Sequence, residues 1–287
     1  MSRPVDVLLE FLAAEQARGV THVHLDDGAR EALRRVFNSA KAKKAAPPGE
    51  KSATPPAAEI RLDEPQAPVA AAVPAIKGTS PTEQLASLRR QAADWAVIKS
   101  LGSLRETMVF ASGNPEARLM LVGEAPGYHE ERDGNPFGGD AGQKLDGILK
   151  AMGLSREEVY ISYIVKFRPA TPRQTTNNRK PTHEEMAACL PFIRAEIGIV
   201  KPACIVALGE TAAAGLLGLD AAVAAMRDSW HDFATTPVRV TYHPSTLLQT
   251  HGASTTKRQL WEDMLAVMEK LDLPISEKQR GFFLPKP

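Results

Sequence analysis

The stretch that decides the fold is RLMLVGEAPGYHEERDGNPFGGDAGQKLDGILKAM, residues 118–152. It opens on a short apolar run (118–122) and bends through Gly123-Glu124-Ala125-Pro126-Gly127. After a polar loop it resumes at helical spacing over 141–152. An apolar run of strand length, a glycine turn and an amphipathic helix make a β-loop-α unit. Three further runs have the same strand form: VYISYIV (159–165), ACIVAL (203–208) and VRVTY (238–242). Helical stretches follow over 182–198, 210–218 and 257–271, the last placing Leu260, Met264, Val267 and Leu271 on one face. Strands alternating with helices predict an α/β three-layer sandwich, a central four-stranded parallel sheet flanked by helices.

Outward from this core, Thr82 is positioned to cap a helix running to about Leu101, so the domain is expected over 83–273 with a tail over 274–287. The two Phe of that tail point to packing on the domain. Residues 40–82 are rich in Ala and Pro and almost free of aromatics, the composition of a disordered or extended linker. Residues 1–39 carry two amphipathic segments, 5–18 and 26–37. They are too small to bury a core alone and are expected to dock on a protein partner or on this domain.

Thirty-five basic and 34 acidic side chains leave a net charge of +1, which excludes a polybasic coat protein. Nucleic-acid binding would need a local patch. The chain has no apolar run of about 18 residues, so no membrane span is expected. Its first residues lack the form of a secretory signal, which makes the cytoplasm the expected location. Two cysteines, Cys189 and Cys204, make neither a disulfide framework nor a metal cluster, and no metal or cofactor is expected.

In open parallel sheets, ligands bind beyond the carboxyl ends of the strands. The unusual residues collect there. Gly123 and Gly127 permit a tight bend that holds Glu124 at the cleft, although an ordinary strand-to-helix turn has the same spacing. Glu130 and Glu131 can position a water, or can lie on a solvated face. Phe137, between Pro136 and Gly138, can stack on a base or pack in the core. Lys166, Arg168, Arg173 and Arg179 fall in a run (166–180) with no acid, suited to phosphate contacts. His243, before Pro244-Ser245, can donate to an oxygen that becomes anionic.

Taken in order, GNPEARLMLVGEAPG, EERDGNPFGGDAGQKLD, VYISYIVKFRP, NNRKPTHEEMAAC, KPACIVALGETAA and YHPSTLL resemble the uracil-DNA glycosylase superfamily, family 4 above all, from about Val109 to Leu248. The resemblance implies a DNA glycosylase of base excision repair that flips uracil or another deaminated base out of DNA and hydrolyses its bond to deoxyribose. It implies Glu124, Glu130 and His243 as catalytic residues, with His243 steadying the charge on the departing base and Glu130, ahead of Glu124 or Glu131, orienting the attacking water. Gly123, Ala125, Gly127, Glu131, Phe137, Tyr163 and Ser245 would line the base site. Lys166, Arg168, Arg173, Arg179, Leu247 and Leu248 would meet DNA, a leucine wedging into the vacated stack.

The chain also departs from that family. Family 4 carries four cysteines on an iron–sulfur cluster; here three of the four positions fall near Ala96, Lys99 and Phe167, and only Cys189 remains, which implies no cluster. Tyr163 replaces the family's base-pocket Asn, which puts uracil selectivity in doubt. Residues 169–182 contain no histidine of the kind a related subgroup uses to trap DNA covalently. The alternative implied is a catalytically weak or inactive module that binds DNA or a modified base.

Overall fold

The computed structural model describes residues 74–248 and 253–283. The two expected N-terminal helices, most of the expected linker and the end of the tail lie outside them. In chain order the strands are β1 (Leu104–Met108), β2 (Ala111–Gly113), β3 (Leu119–Gly123), β4 (Tyr160–Tyr163), β5 (Phe167–Pro169), β6 (Cys204–Leu208), β7 (Trp230–Phe233) and β8 (Thr236–Thr241). The helices are α1 (Pro81–Ala93), α2 (Ala96–Leu101), α3 (Tyr128–Asp133), α4 (Asp140–Met152), α5 (His183–Val200), α6 (Glu210–Leu217), α7 (Val223–Met226), α8 (Ala253–Lys270) and α9 (Glu277–Arg280).

The sheet has the order β2-β4-β3-β6-β8-β7. Its four inner strands run parallel, as the sequence predicts, with Met120 opposite both Tyr160 and Ile205, and Ile205 opposite Val238. The four-stranded expectation is corrected at the edges: β2 and β7 add antiparallel to β4 and β8, and β1 pairs with β5 as a separate ribbon. These strands are short and mostly half-exposed, so they carry no continuous apolar run to betray them.

Alternation along β3 shows why three layers form. Met120 and Val122 face a core completed by α1, α2, α5 and α6, through Leu88, Ile98, Phe192 and Leu216. Leu119 and Leu121 face the other core, completed by α4 and α8 through Leu145, Leu149, Met264 and Val267. Every residue of β3, β4 and β6 is buried, so the two layers cover the middle of the sheet completely.

Two boundaries move. The helix expected with Thr82 as its cap starts two residues earlier, at Pro81. Ser80 caps it, accepting from the Glu83 N–H at 3.3 Å, while Glu83 reaches back to the Ser80 N–H. It breaks at Asp94-Trp95, where the Trp95 ring packs edge-on against Phe192 at 5.0 Å. The linker also ends sooner than residue 82. Ala75 exchanges hydrogen bonds with the Gln91 amide at 2.9 and 2.7 Å, which holds the chain against α1. In the tail, Phe282 lies 5.1 Å from Trp261.

On the α8 side, buried Asp263 ties the helix to β8. It accepts from Arg239 at 2.7 and 3.0 Å, from Arg227 at 3.2 Å and from the Thr241 hydroxyl at 2.7 Å. Asp263→Ala leaves two buried guanidinium groups without their shared anion. It should lower unfolding free energy by about 3–5 kcal/mol, read from the urea midpoint. A loss under about 1 kcal/mol, the scale of an exposed pair, would show that Asp228 and Glu262 suffice for both arginines.

Candidate active site

A cavity of about 290 Å³ opens where β3, β4 and β8 end. Glu124, Glu130, Phe137, Tyr163, His243 and Ser245 line it, joined by Ala125, Gly127 and two residues of the loop after β5, Asn178 and Arg179. A larger hollow of about 820 Å³ lies at the opposite ends of the strands, between α5 and the β7–β8 turn. Its only charged side chains are Arg194 and Lys201. The smaller cavity is the one with two carboxylates, an imidazole and an aromatic plate.

His243 follows β8 directly. The Ser245 backbone N–H donates to its Nδ1 at 3.2 Å, and the Ser245 hydroxyl sits 2.8 Å from the same nitrogen. A backbone N–H can only donate, so Nδ1 is an acceptor and the neutral ring carries its proton on Nε2. Burial lowers the His243 pKa below the ordinary imidazole value, against the opposing charges of Glu124 and then Glu130. The cavity therefore holds an uncharged N–H donor.

The carboxylates divide. Glu130, at the start of α3, accepts from the Gly127 N–H at 3.0 Å and the Gly139 N–H at 3.2 Å. It staples the two ends of the loop around the cavity. No hydrogen bond or ion pair engages the Glu124 carboxylate among the described residues, and it faces both this cavity and an adjoining groove of about 430 Å³ past β6. Glu131 is a correction. It is held by Arg105 and Arg168, each at 2.9 Å, and lines no part of the cavity. Burial would raise its pKa, but the two guanidinium groups outweigh burial and hold it below the usual carboxylate range.

Phe137 is 2 % exposed and sits with φ +53°, a left-handed backbone rare for a bulky residue. Its ring stacks on Tyr163 at 5.2 Å and on His243 at 5.6 Å. Gly123 has no place on the cavity wall. A β-carbon there would come within 2.8 Å of both the Phe137 and Tyr163 rings, so glycine makes room for that stack. Burial and the charge of Glu130 raise the Tyr163 pKa well above its ordinary value, so the phenol keeps its proton.

The basic run is largely corrected as a phosphate surface. Lys166 is 0 % exposed, paired with Glu196 and hydrogen-bonded to Ser162 at 2.5 Å. Burial pulls its pKa down against the attraction of Glu196. Arg168 is 2 % exposed and donates to Glu131, the Asn178 side chain and the carbonyls of Thr175 and Asn177. Arg179 reaches the cavity, but its donors go to Glu185 and to the Ser103, Ala170 and Lys180 carbonyls. Only Arg173 is left exposed among the four. Of the two leucines, Leu248 is 45 % exposed, while Leu247 packs against the core.

Asn178 was missed by the sequence reading. Arginine only donates, so the 2.9 Å contact with Arg168 Nε fixes the amide oxygen toward it. The NH2 group turns toward Gly127 and the cavity: a β-carbon on Gly127 would lie 2.8 Å from Asn178 Nδ2.

The chain's donors do not fit an iron–sulfur cluster. Cys189 and Cys204 are its only cysteines and belong to the cores on opposite faces of the sheet. Burial pushes their thiols up to about 11 and about 12, which keeps both protonated. Phe167 and Ile98 join Cys189 in one apolar cluster near the positions that the family ligands would take. Among the described residues no group of three or more His, Cys, Asp or Glu could hold a metal ion. No helix among them is long and apolar enough to cross a membrane.

The family model for the Uracil DNA glycosylase superfamily matches residues 110–265. The chain is similar to a type-4 uracil-DNA glycosylase of Thermotoga maritima, 40 % identical over 162 residues, covering 56 % of this chain and 81 % of that protein. A type-4 uracil-DNA glycosylase of Pyrobaculum aerophilum is 43 % identical over 119 residues, 42 % of this chain and 58 % of that protein. A type-5 uracil-DNA glycosylase of the same organism is 35 % identical over 162 residues, 50 % of this chain and 69 % of its own length.

The imidazole geometry makes a direct prediction. In an NMR titration His243 should ionise below the ~6.5 of a free imidazole and show the Nε2-protonated tautomer at neutral pH. Protonation then favours the unfolded chain. The stability tied to this group is complete above about 6.5 and is lost as pH falls through the lower folded value. A midpoint above the free value would mean that the carboxylates outweigh burial.

Proposed function

Since this chain belongs to the uracil DNA glycosylase superfamily, we propose that it is a DNA glycosylase that hydrolyses the bond between uracil, or another deaminated base, and deoxyribose. The observation that carries the reading is the meeting, in one cavity, of an aromatic plate, a neutral imidazole donor and a carboxylate without a partner among the described residues. DNA is the substrate, with the target nucleotide extruded from the stack into this cavity.

The chemistry follows from the charges. As the glycosidic bond breaks, its electron pair leaves with the base, and the negative charge spreads onto the base oxygens. His243 Nε2–H donates to one of them. Because the ring is neutral, its stabilising effect grows as charge develops, which favours the transition state over the ground state. The sugar carbon becomes cationic, and the carboxylate of Glu124 offsets that charge. A water held between Glu124 and the Asn178 NH2 group attacks the carbon and passes a proton to the carboxylate. Glu130, with both oxygens on backbone N–H groups, acts by holding the loop. Leu248, exposed at the surface, would fill the vacated stack.

A specific residue favours a second reading. Tyr163 fills the strand end where the family pattern has an amide, which points to a weak or inactive module that binds a modified base. Oligonucleotides carrying uracil, hypoxanthine, xanthine or hydroxymethyluracil decide between the two. Cleavage of at least one supports the enzyme; measurable binding with cleavage of none replaces it by the module.

In the active protein, His243→Ala and Glu124→Ala should each lower single-turnover excision about 100- to 1000-fold, with melting temperature nearly unchanged. Asn178 gives a sharper test. Asn178→Asp keeps the contact with Arg168 but replaces the NH2 donor by an anionic oxygen. If Asn178 only anchors the loop, Asp should match Asn and Ala should be worst. The proposed donor role requires Asp to be at least as damaging as Ala.

A further inference from the structure

We propose that Tyr163 and Arg156 are positioning residues that lock the Phe137 ring from behind, so that Tyr163 acts on the base through Phe137 and not by reading its edge. The inference rests on the glycosylase reading and adds two residues to it.

The argument begins with the backbone. Phe137 holds φ +53°, where its β-carbon crowds the chain, and so it needs neighbours that fix both of its peptide groups. They are present. The Phe137 N–H donates to the Tyr163 hydroxyl at 2.8 Å. On the other side Arg156 spreads its two terminal nitrogens over consecutive carbonyls, Pro136 at 2.8 Å and Phe137 at 2.7 Å. Its third donor, Nε, is anchored on Asp146 of α4 at 2.5 Å. All three guanidinium nitrogens are therefore committed, two to the strained turn and one to α4 beside it, a rigid fork that a lysine could not reproduce. Gly142 of α4 completes the clamp, because a β-carbon there would run into the Phe137 carbonyl oxygen.

The Tyr163 ring lies nearly parallel to the Phe137 ring, 20° between planes at 5.2 Å, and so backs it by stacking as well as by the hydrogen bond. Its hydroxyl oxygen is already used by the Phe137 N–H. A base-reading amide offers a donor and an acceptor together; this phenol is turned to the turn that carries the stacking ring. Arg156 lies outside the cavity wall, and its guanidinium hydrogen bonds go to the carbonyls of residues 136 and 137 and to the Asp146 carboxylate, so its hydrogen bonds can bear on a base through the Phe137 turn.

A double-mutant cycle tests this. Tyr163→Phe should lower kcat/KM for uracil excision about fivefold, the worth of one buried hydrogen bond. In the Phe137→Leu background, which has no ring left to aim, it should cost less than twofold. Arg156→Lys, made at a side chain 24 % exposed, should follow the same pattern. Amide exchange at residue 137 should speed up in both single variants. Equal losses with and without Phe137 would overturn the proposal and give Tyr163 a direct contact with the base. A wild type that excises no base would sink the glycosylase reading alone. The same cycle, read on affinity for a uracil-containing oligonucleotide, still decides the clamp.

Discussion

A sheet covered on both faces has no room for chemistry along its length. In this chain all five residues of β3 and all five of β6 are buried, and the four of β4 with them. A polar side chain can be tolerated there only if it is fully satisfied, as Ser162 is between Lys166 and Glu196. The functional groups are thereby forced to the strand ends. The ends that hold Glu124, Tyr163 and His243 are those where parallel strands place side chains from distant parts of the sequence a few ångströms apart. The cavity is a consequence of the two cores.

That constraint explains what could be read in advance. The four inner strands announce themselves by continuous apolar runs, and the residues following them, Gly123-Glu124 and His243-Pro244-Ser245, could be placed on one edge before any contact was known. The edge strands could not be read. β7 alternates exposed and half-buried residues around Trp230 and Asp232, and β2 is three residues of Ala, Ser and Gly. Such segments gain their structure from a neighbour's hydrogen bonds, which leave no trace in their own composition.

The basic run after β4 shows the opposite failure. Counted as charge, residues 166–180 look like a phosphate surface. Placed in the fold, three of the four named side chains are consumed by the protein. Lys166 neutralises Glu196 within a core, Arg179 neutralises Glu185, and Arg168 gathers a carboxylate, an amide and two carbonyls to close the loop. The acids that pair with them lie elsewhere in the chain, at 131, 185 and 196, so a local count of charge could not find them. An arginine with five donors is as well suited to folding an irregular loop as to holding a phosphate. Burial decides which.

Asn178 follows from the same loop. Nothing in NNRK distinguishes its amide from that of Asn177, whose oxygen accepts from the Thr175 N–H at 2.9 Å within a local turn. The difference is that Arg168, fixed by Glu131, takes the Asn178 oxygen and leaves the NH2 group facing the cavity. A chain of pairings that begins at Arg105 on the surface and passes through Glu131 and Arg168 thus ends by orienting a donor on the cavity wall. Two of the charges expected to meet DNA, Arg168 and Arg179, are turned inward and shape the cavity wall, while among the described residues the Glu124 carboxylate facing that cavity has no partner.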